Sequence, residues 1–390
     1  MNEFTTGNRI RLLRTGTEYF PALVAAIDAA GRQIFLETYI FEGDITGRAV
    51  ADALSRAARR GVATHVLIDG FGSKNLNDEL IGAMRAAGVR LLKFRPEISP
   101  WTFKRQRLRR LHRKVAVIDG RIAFVGGINV IDDMHTPGQI PPRFDYAVEI
   151  EGPLLADIHR SAAKLWNYVS WTQLRKSGSR GSALTPQIAP CGSLRAAFVT
   201  RDNLRHRKDI ENAYLDAIAG ARSEIVIACA YFFPGRTFRR ALIDAAARGV
   251  RVVLLLQGRV EYVLLHYASR ALYLYFLNAG VEILEYHRSF LHAKVAVIDH
   301  RWATVGSSNI DPMSLLLARE ANVLIDDAAF ARALRLSLNE AIEAGAQSVL
   351  RTRWERQSHT LPIRVMTWLC YGLVRFLSGW SSYGRAREFQ

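Results

Sequence analysis

Two stretches of this chain are nearly the same. Residues 111–119 read LHRKVAVID and residues 291–299 read LHAKVAVID, identical at eight of nine positions and 180 residues apart. A repeat that long is not a solenoid period and implies two copies of a domain-sized unit. The elements upstream follow the same order in both copies. Residues 33–41 (QIFLETYIF) and 224–232 (EIVIACAYF) read as strands. Each precedes an Ala/Arg-rich helical segment, 47–60 or 236–248, that stops at Gly61 or Gly249. Second strands follow at 62–69 and 250–257, then second helices leading to Gly88 and Gly280. Alternating strands and helices predict an α/β fold in two similar domains. A Gly/Ser/Pro-rich stretch separates them. The expected boundaries are 1–175, a linker at 176–193, 194–355, and a tail at 356–390.

Composition sets the remaining limits. A chain of 390 residues with 49% hydrophobic and 23% charged residues is ordinary globular material, which excludes disordered and collagenous classes. Three scattered cysteines (Cys191, Cys229, Cys370) give neither a disulfide framework nor a clustered zinc site, and suit a reducing compartment. The start of the chain lacks a signal-peptide pattern, and no uninterrupted apolar run is long enough to span a bilayer. The net charge of +17 favours a polyanionic partner, either nucleic acid or an anionic membrane. Only 8 of the 53 basic residues are lysine, so the placement of each lysine is informative.

The repeated nonapeptide holds H-x-K-x4-D twice: His112, Lys114 and Asp119, then His292, Lys294 and Asp299. Residues two apart on a strand share a face, so each histidine and lysine project together. An ammonium binds a phosphodiester oxygen as a point charge, while an imidazole attacks phosphorus or moves a proton near neutral pH. The aspartates have opposite parity and read as strand-end, turn-fixing groups, although as members of the motif Asp119 and Asp299 are grouped with the histidines and lysines in the candidate catalytic set. Small-residue turns follow, Gly126-Gly127-Ile128-Asn129 and Gly306-Ser307-Ser308-Asn309. Gly127, Asn129, Ser307 and Asn309 are their candidate phosphate-binding residues. Asp145 and Glu320 lie 33 and 28 residues beyond the two histidines and are candidates for orienting them through hydrogen bonds.

With these residues quoted, the sequence resembles the phospholipase D superfamily, whose mark is a doubled H-x-K-x4-D motif with G-G/S-x-N after each copy. Within it, the segment 306–320 (GSSNIDPMSLLLARE) looks like the bacterial cardiolipin synthase branch. The likeness departs at Met313 and Ala318, where close relatives carry Arg and Asn. It implies two α/β/α sandwich domains related by a pseudo-twofold axis, one site at their interface, and no metal or other cofactor. It further implies a phosphohistidine on His112 with His292 as acid/base, and crossed orienters: Glu320 behind His112, Asp145 behind His292. The implied reaction transfers a phosphatidyl group, condensing two phosphatidylglycerols to cardiolipin and glycerol. Phosphatidylethanolamine is an alternative donor. A hydrolytic phospholipase D, a DNA phosphodiesterase of the same superfamily and a non-enzymatic lipid-binding protein stay open as alternatives.

Two segments bear on lipid against nucleic acid, and the second tilts the balance to lipid. Residues 104–114 carry seven Lys/Arg behind the aromatic stretch 100–103, a combination suited to an anionic interface and also to stacked bases. At helical spacing, 362–380 gathers Met366, Leu369, Leu373 and Val374 on one arc and Thr367, Tyr371 and Arg375 on the other, as an interfacial helix does. The expected partners are therefore phospholipids and an anionic membrane surface. The expected location is the cytoplasmic side of a bacterial inner membrane; oligomeric state is not readable. Residues 262–277 read as either an acyl-chain groove or a core helix.

Overall fold

The computed structural model describes residues 3–95, 109–173, 184–202, 206–260, 263–311, 318–352, 354, 366–367 and 369–375. Residues 100–108, the first part of the expected linker, Met313 and most of the tail lie outside that set. The first half runs β1 (Thr5–Arg14), α1 (Thr15–Asp28), β2 (Gln33–Thr38), α2 (Ile45–Arg59), β3 (Ala63–Asp69), α3 (Asp78–Ala86) and β4 (Arg90–Phe94). It continues with β5 (Arg110–Leu111), β6 (Lys114–Ile118), β7 (Ile122–Gly126), β8 (Tyr146–Glu151) and α4 (Leu155–Thr172). The second half repeats the plan: β9 (Leu194–Arg201), α5 (Asp209–Gly220), β10 (Glu224–Cys229), α6 (Arg236–Ala247), β11 (Arg251–Gln257), α7 (Val263–Arg270) and α8 (Tyr273–Leu277). Then come β12 (Glu282–Tyr286), β13 (Lys294–Ile298), β14 (Trp302–Gly306), β15 (Ala318–Asp326), α9 (Ala328–Gly345) and β16 (Ala346–Ser348).

The strand order is β16-β12-β11-β10-β13-β14-β15-β9-β1-β8-β7-β6-β2-β3-β4. Read outward from the β9–β1 junction, the two sides match strand for strand, with β16 added at one edge, which is the pseudo-twofold relation expressed as topology. Parallel β2-β3-β4 and β10-β11-β12 are joined by connections carrying helices, as parallel strands require. Their burial on both faces accounts for apolar runs such as VVLLL in β11. Asp44 caps α2 by accepting from Gly47 N–H, and Asp327 caps α9 through Phe330 N–H.

Three apolar clusters fill the layers. One lies under α1, α2 and α3 and a second under α5 to α8. The third is shared: Leu155, Ile158, Leu165 and Trp166 of α4 and Phe330, Leu334 and Leu338 of α9 belong to one cluster with both inner sheet faces. The halves are therefore two α/β/α sandwiches with a common central core. The described part of the segment between them lies along the first half. Gln187 N–H donates to the Gly120 carbonyl, and Cys191 and Gly192 N–H donate to that of Gly7. The aromatic stretch after β11 is two helices, with Ala268, Leu272, Tyr273 and Phe276 buried in the second-half cluster. Of its two readings, the core helix describes it.

Candidate active site

Both motif strands begin at their lysines, two residues after the histidines. What holds the histidines is the opposite half. β5 pairs in parallel with the start of β15, and His112 N–H donates to the Arg319 carbonyl at 3.0 Å. Symmetrically, Phe144 bridges Leu291, and His292 N–H donates to the Phe144 carbonyl at 2.8 Å. Each histidine is thus sewn to the residue preceding the other half's carboxylate. Glu320 Oε1 lies 2.9 Å from His112 Nδ1, and Asp145 Oδ2 lies 2.6 Å from His292 Nδ1. A carboxylate at Nδ1 makes that nitrogen the donor and leaves Nε2 its lone pair.

Lys114 and Lys294 are buried beside them, and each Nζ donates to the carbonyl of its own motif histidine. Lys294 Nζ also stands 2.8 Å from His292 Nδ1 and 3.5 Å from Asp145. Burial, then repulsion from the Lys294 ammonium, brings Lys114 down to about 7, so the two lysines feel one another across the junction. Burial and Lys294 lower His292 to about 3; burial, with Lys114 and Lys294, also lowers His112. Burial opposes ionisation of Asp145, but Lys294 and the His292 hydrogen bond outweigh it and keep the carboxyl below its ordinary value. Two lysines, two imidazoles and two carboxylates form one buried cluster in which the lysines repel each other, a repulsion that an anion held between them relieves. Among the described residues, no group of three or more His, Cys, Asp or Glu is placed to hold a metal ion.

The other expected residues divide. Gly127 has no room for a side chain, since a Cβ there would stand 2.3 Å from Asp145 Oδ1. Ser307 Oγ donates to Glu320 Oε2 at 2.5 Å and is fully buried. Both are occupied with the orienting carboxylates. Asn129 Oδ1 accepts from Ile40 N–H, and Asn309 is buried beside Cys229. Asp119 and Asp299 require a correction to their grouping with the catalytic set. Asp119 accepts from the N–H groups of Gly31, Arg32 and Gln33, and Asp299 from those of Arg222, Ser223 and Glu224. Each sits at the far end of its strand from the histidine and pins the start of β2 or β10. Ala318, at a divergent position, opens β15 and its carbonyl accepts from Arg201.

Sequence reasoning missed Tyr39, whose ring centroid is 4.9 Å from that of His112 and 5.6 Å from Lys114 Nζ. It also missed Asp69, fully buried, which accepts from Leu111, Phe71 and Gly72 N–H and so anchors the residue before His112. Their common signal is position: both stand at the C-terminal ends of parallel strands, where α/β sheets build sites.

Twinned halves with a histidine–lysine pair from each meeting at the junction define the phospholipase D-like class. The comparisons with known proteins agree. The model of the family "Cardiolipin synthase, PLD-like domain" matches residues 23–160 and 214–341. Cardiolipin synthase B of Escherichia coli K12 is 42% identical over 355 residues, covering 89% of this chain and 83% of that protein. The probable cardiolipin synthase YwiE of Bacillus subtilis is 32% identical, covering 87% and 67%. Phosphatidylserine synthase from Haemophilus influenzae shares the fold with a TM-score of 0.69 at 15% identity, covering 95% of this chain and 93% of that one. The chain belongs to the phospholipase D-like cardiolipin synthase family.

Proposed function

We propose that this protein is a cardiolipin synthase that joins two phosphatidylglycerols and releases glycerol. The observation that carries the reading is the crossed pair of dyads, His112–Glu320 and His292–Asp145, with Lys114 and Lys294 buried between them. One imidazole cannot serve both faces of phosphorus; two can. The phosphate of the first lipid lies against the lysines, and its charge offsets their repulsion and lifts the basicity of His292. His112 Nε2 attacks phosphorus, the bond to the glycerol oxygen breaks, and His292 gives that oxygen its proton. The headgroup hydroxyl of the second lipid then loses its proton to His292 and attacks phosphorus. The P–N bond breaks and both histidines are restored. The lysines and nearby backbone N–H groups stabilise the equatorial oxygens in both steps.

A peripheral membrane location fits the surface. Phe71, Met134 and Val260 in loops, and Val263 at the start of α7, are exposed at the sheet end that holds the histidines. In segment 366–375, Cys370 and Val374 dock on the second-half core while Met366, Leu369 and Leu373 face outward, an apolar stripe suited to lipid. No helix among the described residues is long and apolar enough to cross a membrane. The test incubates the protein with phosphatidylglycerol vesicles and follows lipid products. Wild type should form cardiolipin and free glycerol, with His112→Ala and His292→Ala at background. Phosphatidic acid as the main product, or cardiolipin formed by either variant at the wild-type rate, would overturn the reading.

A further inference from the structure

The two histidines have different neighbours at one matched position. His292 N–H pairs with the Phe144 carbonyl and His112 N–H with that of Arg319, so Asp145 is equivalent to Glu320 and Arg143 to Ala318. Around His292 the alternation is explicit. Leu291, Phe144 and Tyr146 turn to the shared core, where Phe144 meets Tyr286 and the Tyr146 hydroxyl meets that of Ser337. Arg143, Asp145, Phe290 and His292 therefore share the opposite face. On it Asp145 holds His292, and Arg143 lies over Phe290 with its guanidinium carbon 5.0 Å from the ring centroid. Lys294 continues the same face beyond His292. His292 thus stands between Lys294 and the Phe290–Arg143 pair, with a step of two residues, roughly 7 Å, on either side. The matched place beside His112 carries only the methyl group of Ala318. Arg201, across the ladder from Glu320, is buried against the carbonyls of Ala318 and Arg207, and Arg113 is paired with Glu37.

A guanidinium in that place works against the imidazole beside it, and its charge adds to the lowering of His292. An anion beside the guanidinium reverses the effect. Asp145 is already engaged by His292 and Lys294. Asp133, whose carbonyl accepts from Arg143 N–H, has its carboxyl on Gly16 N–H and is pushed up to about 7 by burial, so it supplies only part of a charge. The reaction itself brings a full one. When the alcohol at His292 is a phosphatidylglycerol, it carries a phosphodiester of its own. Ordinary bond lengths let the bridge P–O–C–C–C–O–P hold its two phosphorus atoms at most roughly 7–8 Å apart. With one phosphorus against the lysines, the other falls on the far side of His292, where Arg143 lies. Departing glycerol is neutral and makes no call on the cation. A guanidinium flat on an aromatic ring presents its edge N–H groups to phosphate in the bidentate manner.

We infer that Arg143, seated on Phe290, binds the phosphate of the acceptor lipid and so selects an alcohol that already bears a phosphodiester. The inference rests on the proposed phosphatidyl transfer and adds an acceptor-binding residue to it. The placement beside His292 matches that histidine's role as the base for the incoming hydroxyl.

The experiment disperses phosphatidylglycerol in a large excess of neutral detergent, offers equal concentrations of labelled glycerol and glycerol 3-phosphate, and measures the phosphatidyl product of each. Wild type should favour glycerol 3-phosphate by about tenfold or more, the scale of a charge-assisted hydrogen bond. Arg143→Gln should bring that ratio close to unity and lower cardiolipin relative to exchanged phosphatidylglycerol by a similar factor. Arg143→Lys keeps the charge without the fork and should retain a preference of about threefold or more. A residue that merely shaped the loop would slow both alcohols alike and leave the ratio where it was. If Arg143→Gln does not fold, the wild-type preference and the Lys variant still decide. Equal use of the two alcohols by wild type, or an unchanged ratio in folded Arg143→Gln, would overturn the inference while transfer to glycerol stood. A wild type that transfers to no alcohol and makes no cardiolipin would remove the transfer reading, and the inference with it.

Discussion

Asp145 and Glu320 differ by one methylene, and the residues behind them compensate for it. Gly127 N–H donates to the Tyr146 carbonyl and Ser307 N–H to that of Ala321, so the two stand at equivalent positions. The shorter carboxylate lies against a glycine; the longer one receives a serine hydroxyl. Gly127→Ala therefore pushes Asp145 off His292 and should cut turnover at least tenfold with little loss of melting temperature, read from steady-state rates and thermal unfolding. Ser307→Ala removes a hydrogen bond to a buried charge and should cost roughly tenfold in rate. Protonation offers another handle. His292 at about 3 and Lys114 at about 7 are both low in the substrate-free protein, and an anion bound between them raises both. Groups whose values rise on binding take up protons, so sulfate, which has no exchangeable proton of its own at pH 7, should bind with net proton uptake at that pH. Calorimetry in buffers of different ionisation enthalpy measures this, and proton release would contradict it. The spacing of the motif exposes the histidines and lysines, but not the pairing of Gly127 with Asp145, which depends on how far apart two strands lie.

At the scale of elements, the motif aspartates belong to stability. Asp119 ties three successive N–H groups at the start of β2. Its replacement by alanine should lower the melting temperature by several degrees, consistent with ~1–3 kcal/mol for unsatisfied donors, and leave turnover per folded molecule nearly unchanged. A large loss of rate at full stability would return it to the chemistry. His65 of β3 is another buried group outside the site. It lies stacked on Phe35 and edge-on to Trp166, and burial lowers it to about 4. The unfolded chain binds this proton below about 6.5, whereas the folded one resists it down to about 4. The contribution is complete above 6.5 and is lost as pH falls toward 4. His65→Leu should flatten that acid limb in pH-dependent unfolding. Strand and helix order was legible: helix 236–248 ends at Ala247, and strand 250–257 begins one residue later. The pairing of β5 with β15 was not, because no local pattern encodes contact across two hundred residues.

At the scale of the molecule, the duplicated sequence becomes one sheet with mirrored strand order and a core that neither half completes alone. The shared core holds the histidines at the junction, so the site is a property of the whole chain. Repeat and alternation foretold the two α/β units. The shared core was not legible, since α4 and α9 show only that one face is apolar, not that they face each other. The tail illustrates the same limit. Its sequence shows two faces, and the structure divides the apolar residues between docking and exposure, with Cys370 and Val374 inward and Leu369 and Leu373 outward. Leu369→Asp with Leu373→Asp should weaken sedimentation with anionic vesicles about tenfold or more without lowering the melting temperature. Unchanged sedimentation would assign the stripe another role. The most direct test of two imidazoles sharing one phosphorus is to trap the phosphorylated enzyme. With phosphatidylglycerol labelled at phosphorus and rapid quenching, acid-labile, base-stable label should appear on the peptide containing His112, form more slowly in His292→Ala, which lacks the acid for the departing glycerol, and vanish in His112→Ala. Label retained in His112→Ala, or cardiolipin formed with no labelled histidine at any time, would contradict the account.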